Sequence, residues 1–378
     1  VGMDQVLEAL QTSGGMLWKA LWALILGYVI SGGIQVLVTR EQMARVLGER
    51  GLKEGALSGF FGFVSSSCSF AALAASRAVL VKGAHPVNAL AFLIASTNLV
   101  IELGLVLLVL LGWRFLLGNL LLGLLMVLYA YLLTRLWLPL DLAGDAREHA
   151  EDAEAGEMDV RTPERMSWRE KLRSREGWVA IADAFLREWK MVWKEILFGF
   201  TIAGFISVFV PQSVWNALFF EAGADTPSFL AVVENAAIAP VIAFFTFIGS
   251  MGNVPLAAML WAKDASFGGV MAFLGADLVA ATVIWIHIKY YGWRYALYLS
   301  GLLYVCMVVA GVTVHYAFAA VGIMPTERPT LREMVAFQID YTFWLNVIFV
   351  LLAAGLLVLR TRSQAGGDRP IEQEEPAR

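Results

Sequence analysis

Long apolar runs alternate with short polar interruptions along most of this chain, and their lengths predict membrane-crossing helices. Residues 16–38 are apolar for 23 positions apart from Lys19, enough to cross roughly 30 Å of hydrocarbon at about 1.5 Å per residue. Residues 86–111, 113–138, 195–219, 267–288 and 295–321 are expected to cross in the same way, and 343–359 adds a last segment. Two places break the regularity. Ser65, Ser66, Ser67, Cys68 and Ser69 lie between the short apolar arms 56–63 and 71–81, and Gly249, Ser250, Met251, Gly252 and Asn253 lie between the arms 236–248 and 254–261. In hydrocarbon every backbone polar group must be satisfied internally, so hydroxyl-rich or unwound backbone survives at membrane depth only against protein or a water-filled cavity. Both breaks are therefore candidate substrate-binding segments.

Sliding the chain against itself by 181 residues lays one break over the other. Lys82 then falls on Lys263, Ala84 on Ala265, Ala91-Phe92-Leu93 on Ala272-Phe273-Leu274, and Ala95 on Ala276. After one residue of slip, Gly112-Trp113-Arg114-Phe115 falls on Gly292-Trp293-Arg294-Tyr295. Self-similarity with a broken segment at matching places is the pattern of secondary transporters that bind at the repeat interface; close packing of two small-residue helices is the plainer alternative. The expected fold is an all-α polytopic membrane protein of two homologous repeats, each with a broken or re-entrant hairpin, plus one extra C-terminal helix. The chain divides into an N-terminal segment (1–15), a first membrane repeat (16–139), a charged cytoplasmic linker (140–177), a second membrane repeat (178–321), a loop and C-terminal helix (322–362) and a tail expected to be disordered (363–378).

Composition narrows the class. Of 378 residues, 59% are hydrophobic and 16% charged, with a mean hydropathy of +0.68, which excludes an ordinary soluble domain. The segment from Asp4 to Gln11 is acidic and has no basic n-region, so no cleaved signal peptide is expected. Between Asp141 and Glu176 there are eleven acids and seven bases, the composition of a solvated linker. If each break is re-entrant, the halves are inverted. Arg40 to Lys53, Lys82, Arg147 to Lys194, Lys289, Arg294, Arg360 and Arg362 then all face the cytoplasm, leaving only Lys19, Arg114, Lys263, Arg328 and Arg332 outside. Spanning breaks make the halves parallel and put one basic cluster on the wrong side, against the positive-inside rule. Inverted repeats are the preferred reading.

The chain contains no G-x-x-x-x-G-K-[ST], H-E-x-x-H or Rossmann fingerprint, so it is read as a non-enzyme without cofactor or metal, and transport would be driven by a gradient. Charged groups within spans are costly and usually functional. Asp277 and Glu102 are the candidate proton-coupling residues, each also readable as a hydrogen-bonded structural carboxyl, while His287 and His315 have the blander reading of interfacial or packed histidines. The candidate substrate-binding residues are Ser65, Ser66, Ser67, Cys68, Ser69, Asn98, Gly249, Ser250 and Asn253. Cys68 is the only thiol in either break, and a soft sulfur suits soft metalloids; packing as a small hydrophobe is the alternative. Cys306, in a plain apolar span, reads as structural. Expected partners are a small-molecule substrate and the lipid bilayer, with no nucleic acid; homo-oligomerisation is left open.

The stretches Ser65-Ser66-Ser67-Cys68-Ser69-Phe70-Ala71-Ala72, Ala95-Ser96-Thr97-Asn98-Leu99-Val100-Ile101-Glu102-Leu103-Gly104 and Gly249-Ser250-Met251-Gly252-Asn253-Val254-Pro255-Leu256 resemble the predicted permeases of the ArsP type, the organoarsenical efflux permease family. The resemblance covers both halves and implies a multi-pass permease of the prokaryotic inner membrane, with export of organoarsenicals or other thiol-reactive or anionic compounds as the expected activity, and Asp277 or Glu102 is expected to couple it to protons. Characterised members have a Cys-Ser-Cys pattern where this chain has Cys68-Ser69-Phe70, so the second thiol of a chelating site is absent here. The reading from another class is a non-transporting scaffold or assembly factor that recruits a cytoplasmic partner through the charged linker.

Overall fold

The computed structural model describes residues 2–37, 52–65, 69–81, 85–137, 140–152, 168–224, 226–246, 249–328 and 340–367. Eight helical stretches among them are long and apolar enough to cross a membrane, and no strand occurs among the described residues. The first half holds α1 (Met3–Leu37), α2 (Leu52–Ser65), α3 (Ser69–Val81), α4 (Pro86–Asn98), α5 (Ile101–Leu110) and α6 (Trp113–Trp137). Two helices follow in the charged stretch, α7 (Leu140–Asp152) and α8 (Trp168–Arg173). The second half holds α9 (Arg175–Phe209), α10 (Gln212–Leu218), α11 (Phe229–Thr246), α12 (Ser250–Ala262), α13 (Phe267–Leu274), a 3-10 turn (Gly275–Val279), α14 (Ala281–Tyr291) and α15 (Trp293–Val321). α16 (Tyr341–Gly367) packs on α1 and α9, where Asn346 donates to the Trp18 carbonyl at 2.8 Å and Arg360 pairs with Asp183 at 2.5 Å.

The two long helices α1 and α9 form the seam between the halves, and small residues bring their backbones together. A methyl group on Gly204 would meet Ser13 Oγ at 2.1 Å, and one on Gly32 the Phe185 backbone nitrogen at 3.1 Å. Close backbone approach of this kind drives helix association where lipid offers no hydrophobic contrast.

Of the first expected break, residues 66–68 lie outside the described residues; at the second, α11 ends at Thr246 and α12 starts at Ser250, so Ser250 to Asn253, expected to be unwound, form the first turn of a helix. Two further breaks were not expected. The runs 86–111 and 267–288, read as continuous spans, are both interrupted near their middles. Leu99 (φ −102°, ψ 19°) and Val100 (φ −75°, ψ 143°) separate α4 from α5, and the 3-10 turn with Ala280 (φ −56°, ψ 144°) separates α13 from α14. The interruption is stable because its loose polar groups are held: Asn119 of α6 donates to the Asn98 carbonyl at 2.8 Å, and Thr97 donates back to Leu93. A helix interior lacks such partners when it stays regular, so the capture by α6 is what makes the bend tolerable at membrane depth.

Each broken pair begins and ends beside the start of the next helix. Gly55 near the start of α2 faces Asn88 near the start of α4, and Asn235 in α11 accepts the Ser266 N–H at 2.8 Å just ahead of α13. The α3–α4 junction shares a small cavity with Tyr291, Tyr295 and Leu299 at the α14–α15 turn. The α12–α13 junction instead meets the start of α6, where Phe115 contacts Trp261 and Phe267 edge-on at 5.3 and 5.2 Å.

The charged stretch 140–177 carries structure at both ends. In α7, Leu142, Ala146 and Ala150 form an apolar stripe at helical spacing on an otherwise charged helix, and both alanines are buried. Arg77 of α3 donates to the Ala150 carbonyl at 2.8 Å, and Lys171 of α8 donates to Val36 at the end of α1 at 2.9 Å.

Candidate functional site

Ser69 is the first residue of α3 and Ser250 the first of α12, and they stand 181 positions apart, the offset that superposes the two halves. The structure brings these two repeat-equivalent hydroxyls into contact at 2.6 Å. Both also donate to one carboxylate oxygen of Asp277: Ser69 at 3.0 Å, and Ser250 through a short hydrogen bond. Asp277 lies on the 3-10 turn, at the break inside its span, and is buried together with both serines. Its second oxygen, Oδ1, has no hydrogen-bond partner among the described residues.

The geometry follows from two half-helices that start at the same place. The first N–H groups of a helix lack partners inside it and carry roughly half a unit of positive charge, so they favour an anion. Here the anion facing the N-termini of α3 and α12 is the protein's own carboxylate.

A second carboxylate completes this side of the site. Glu195 lies twenty residues into α9, half-buried, with Oε2 so near Gly249 that a methyl group there would sit 2.5 Å away. Gly199, one turn on, meets Gly252 as closely: a methyl on Gly199 would lie 2.5 Å from the Gly252 Cα. Gly249, just ahead of α12, and Gly252 within it let α9 press its acid against the helix N-terminus. Glu195 is electrostatically coupled to Asp277, and neither acid has an ion-pair partner among the described residues.

Asn253 follows Ser250 by three residues, so the two share a face of α12. It is 1% exposed, and both its amide oxygen and nitrogen are without partners. Asn98 lies at the α4–α5 break with its side-chain nitrogen bonded to Ile94 and Thr97 and its oxygen unpartnered.

Of the residues singled out from sequence, Ser69, Gly249, Ser250, Asn253 and Asp277 gather here. Ser65 ends α2, and Ser66, Ser67 and Cys68 lie outside the described residues. Glu102 sits elsewhere, buried on α5 where it packs against Gly27 of α1. His287 is fully buried on α14, tilted against Tyr291 at 6.1 Å, with neither ring nitrogen hydrogen-bonded among the described residues. His315 accepts the Gly268 N–H at 3.3 Å, and Cys306 is buried in α15, both packing roles.

Sequence reading passed over Glu195, because it opens an apolar run and so looks like a boundary residue. The only cue was its distance from a helix start, and α9 extends its helix twenty residues upstream of it. Glu188, about two turns back on α9 and buried against the Ser31 hydroxyl of α1 at 3.2 Å, was passed over because it lies inside the stretch 178–194 that reads as amphipathic.

Between α2, α4 and α6 lies an apolar cavity of about 530 Å³ lined by residues that include Gly59, Phe63, Leu99 and Tyr131. Leu99, at the α4–α5 break, forms part of its wall, its side chain lying over Gly123 of α6.

Comparison with known proteins agrees with this arrangement in class. The ArsP_1 family model, described as "Predicted permease", matches residues 5–316. The chain is also similar to "Putative permease Rv2963" of Mycobacterium tuberculosis, at 40% identity over 329 residues that cover 85% of this chain and 80% of that protein. No solved structure matches.

Proposed function

The chain belongs to the ArsP-type family of predicted permeases, a multi-pass membrane protein of transport rather than catalysis, and from that premise we propose that it is a secondary permease whose solute passes the junction of Ser69, Ser250 and Asp277. The observation that carries this reading is the meeting of two repeat-equivalent helix N-termini on one buried carboxylate. Transporters that bind at a repeat interface place discontinuous helices and their unpaired backbone groups at such a junction.

In this reading the repeats are inverted and the pairs α2–α3 and α11–α12 are re-entrant hairpins that open to opposite faces. Support comes from the neighbours of each hairpin's mouth: the α14–α15 turn for the first, and the start of α6 for the second. Arg77, Arg147, Lys171, Arg294 and Arg360 then share the cytoplasmic side with α7 and α8, while Lys263 and Arg328 lie opposite, in keeping with the positive-inside rule.

Asp277 is the proton-coupling group. An ionised carboxylate near the bilayer centre costs about 2.5 to 3.5 kcal/mol on insertion scales, and that cost is retained where loading and unloading of charge does work. Glu102, packed against α1, is the second choice. The resemblance to organoarsenical exporters makes outward movement of trivalent organoarsenicals, and of other thiol-reactive or anionic compounds, the first flux to measure. Cys68 would be the single thiol available to such a solute.

The test is solute flux in proteoliposomes of purified protein, with a panel of those compounds. Asp277→Asn is expected to stay folded and to lose concentrative movement while keeping exchange between labelled and unlabelled solute. Unchanged accumulation by Asp277→Asn would remove Asp277 from the coupling step and pass that role to Glu102.

A further inference from the structure

The junction holds more oxygen ligands than one proton requires. Asp277 Oδ1 and the amide oxygen of Asn253 are buried without partners among the described residues, Ser69 and Ser250 present hydroxyl oxygens on the Asp277 side, and Glu195 stands at the N-terminus of α12. A proton needs one acceptor. Two unpartnered acceptor oxygens on two buried side chains are costly unless a ligand completes them.

Charge balance selects the kind of ligand. With both carboxyls ionised the junction carries about two negative charges, and the N-termini of α3 and α12 return roughly half a unit each. About one negative charge is left, and no described Lys or Arg forms an ion pair with either acid. The donors are carboxylate, carboxamide and hydroxyl oxygens, which suit hard cations rather than soft ones. Calcium takes six to eight oxygens and magnesium keeps several of its waters, so a buried set of about five oxygens with one net charge fits a monovalent ion.

We propose that Asp277, Glu195 and Asn253, with the hydroxyls of Ser69 and Ser250, bind a hard monovalent metal cation of the sodium type at the junction of the two halves. The site rests on the reading of Asp277 as the coupling residue and specifies what it couples to: the cation and a proton compete for the same carboxylate. Asn253 supplies its amide oxygen to the ion, and Glu195, half-buried on α9, is the acid through which the ion reaches Asp277.

The experiment is equilibrium binding of radioactive sodium to the purified full-length protein in detergent at constant ionic strength, with choline chloride as the balancing salt. Saturable binding displaced by unlabelled sodium but not by choline is expected. Asp277→Asn should abolish it, and Glu195→Gln and Asn253→Ala should each weaken it about 10- to 100-fold, the usual cost of losing a ligand or its support. Glu8→Gln, on the exposed start of α1, should bind as the native protein does. If Asp277→Asn fails to fold, Glu195→Gln and Asn253→Ala decide the matter. No saturable sodium binding by the native protein, or undiminished binding by both Glu195→Gln and Asn253→Ala, overturns the proposal. Because the assay contains no transported solute, sodium binding without flux in proteoliposomes would overturn the permease reading alone, and flux without sodium binding would overturn the cation site alone.

Discussion

The two halves have the same helical plan and different chemistry. Under the 181-residue shift Ser69 and Ser250 are equivalent and do the same thing, each opening a half-helix and donating to Asp277. The other polar residues of the junction have no counterparts in the first half: Asp277 corresponds to Ser96, Asn253 to Ala72 and Glu195 to Gly14. Ser96 turns inward and donates to the Leu93 carbonyl of its own helix at 3.0 Å, and Ala72 is fully buried. The first half therefore contributes a hydroxyl and a helix N-terminus, and the second contributes both acids and the carboxamide. The helical plan is alike in the two halves, and the charge lies in one of them.

The sharpest test of this division is to move the acid. Asp277→Ser combined with Ser96→Asp preserves composition but places the carboxyl in the half without Asn253 and Glu195. Accumulation in proteoliposomes is expected to fall about 5- to 150-fold, the span of a typical coupling free energy. Transport equal to the native protein would mean that the halves are interchangeable. Contact between the halves can be tested as directly. Ser69→Cys with Ser250→Cys should form a cross-link within one chain under mild oxidation, because the two hydroxyl oxygens stand 2.6 Å apart; mobility on a denaturing gel reads it.

Glycine substitutions probe the seam with smaller effects. Gly199→Ala sets a methyl against the Gly252 backbone at 2.5 Å and should destabilise the protein by about 1–3 kcal/mol through overpacking. Gly14→Ala, where nothing lies within 4 Å, should be neutral or stabilising by up to about 1 kcal/mol from helix propensity. Thermal unfolding in detergent compares them, and equal losses would count against close packing of α9 on α12. Asn119→Ala, which frees the Asn98 carbonyl at the first-half break, should cost about 1–3 kcal/mol as an unsatisfied buried acceptor, read in the same assay.

The smallest effect lies in the loop ahead of α11. Glu221 accepts the Ser228 N–H at 2.6 Å, and that hydrogen bond holds its carboxyl below the usual carboxylate value of 4.5. A depressed folded value contributes stability above the unfolded value and loses it as pH falls through the folded one. Glu221→Gln should therefore flatten a small drop in melting temperature that the native protein shows below about pH 4.5, and identical curves for the two would show that this loop adds nothing to stability.

Membrane class and the self-similarity at an offset of 181 residues are written in the order of residues. Hydrophobic length and polar interruption are local properties, and the bilayer imposes them on each segment separately. Residue order also marked Asp277, because a lone acid in an apolar run has few innocent explanations. Tertiary structure alone decided the rest. The bends at Leu99–Val100 and at the 3-10 turn change two or three backbone angles and leave hydropathy untouched, yet Asn119, twenty-one residues away, is what holds the first of them. Glu195 belongs to the site only because Gly249 and Gly252 let α9 come close, and Ala146 and Ala150 dock a charged helix only because α3 and α14 present a surface to it. Each of these depends on the distance between segments far apart in the chain, a quantity that packing sets and that no window along the sequence contains.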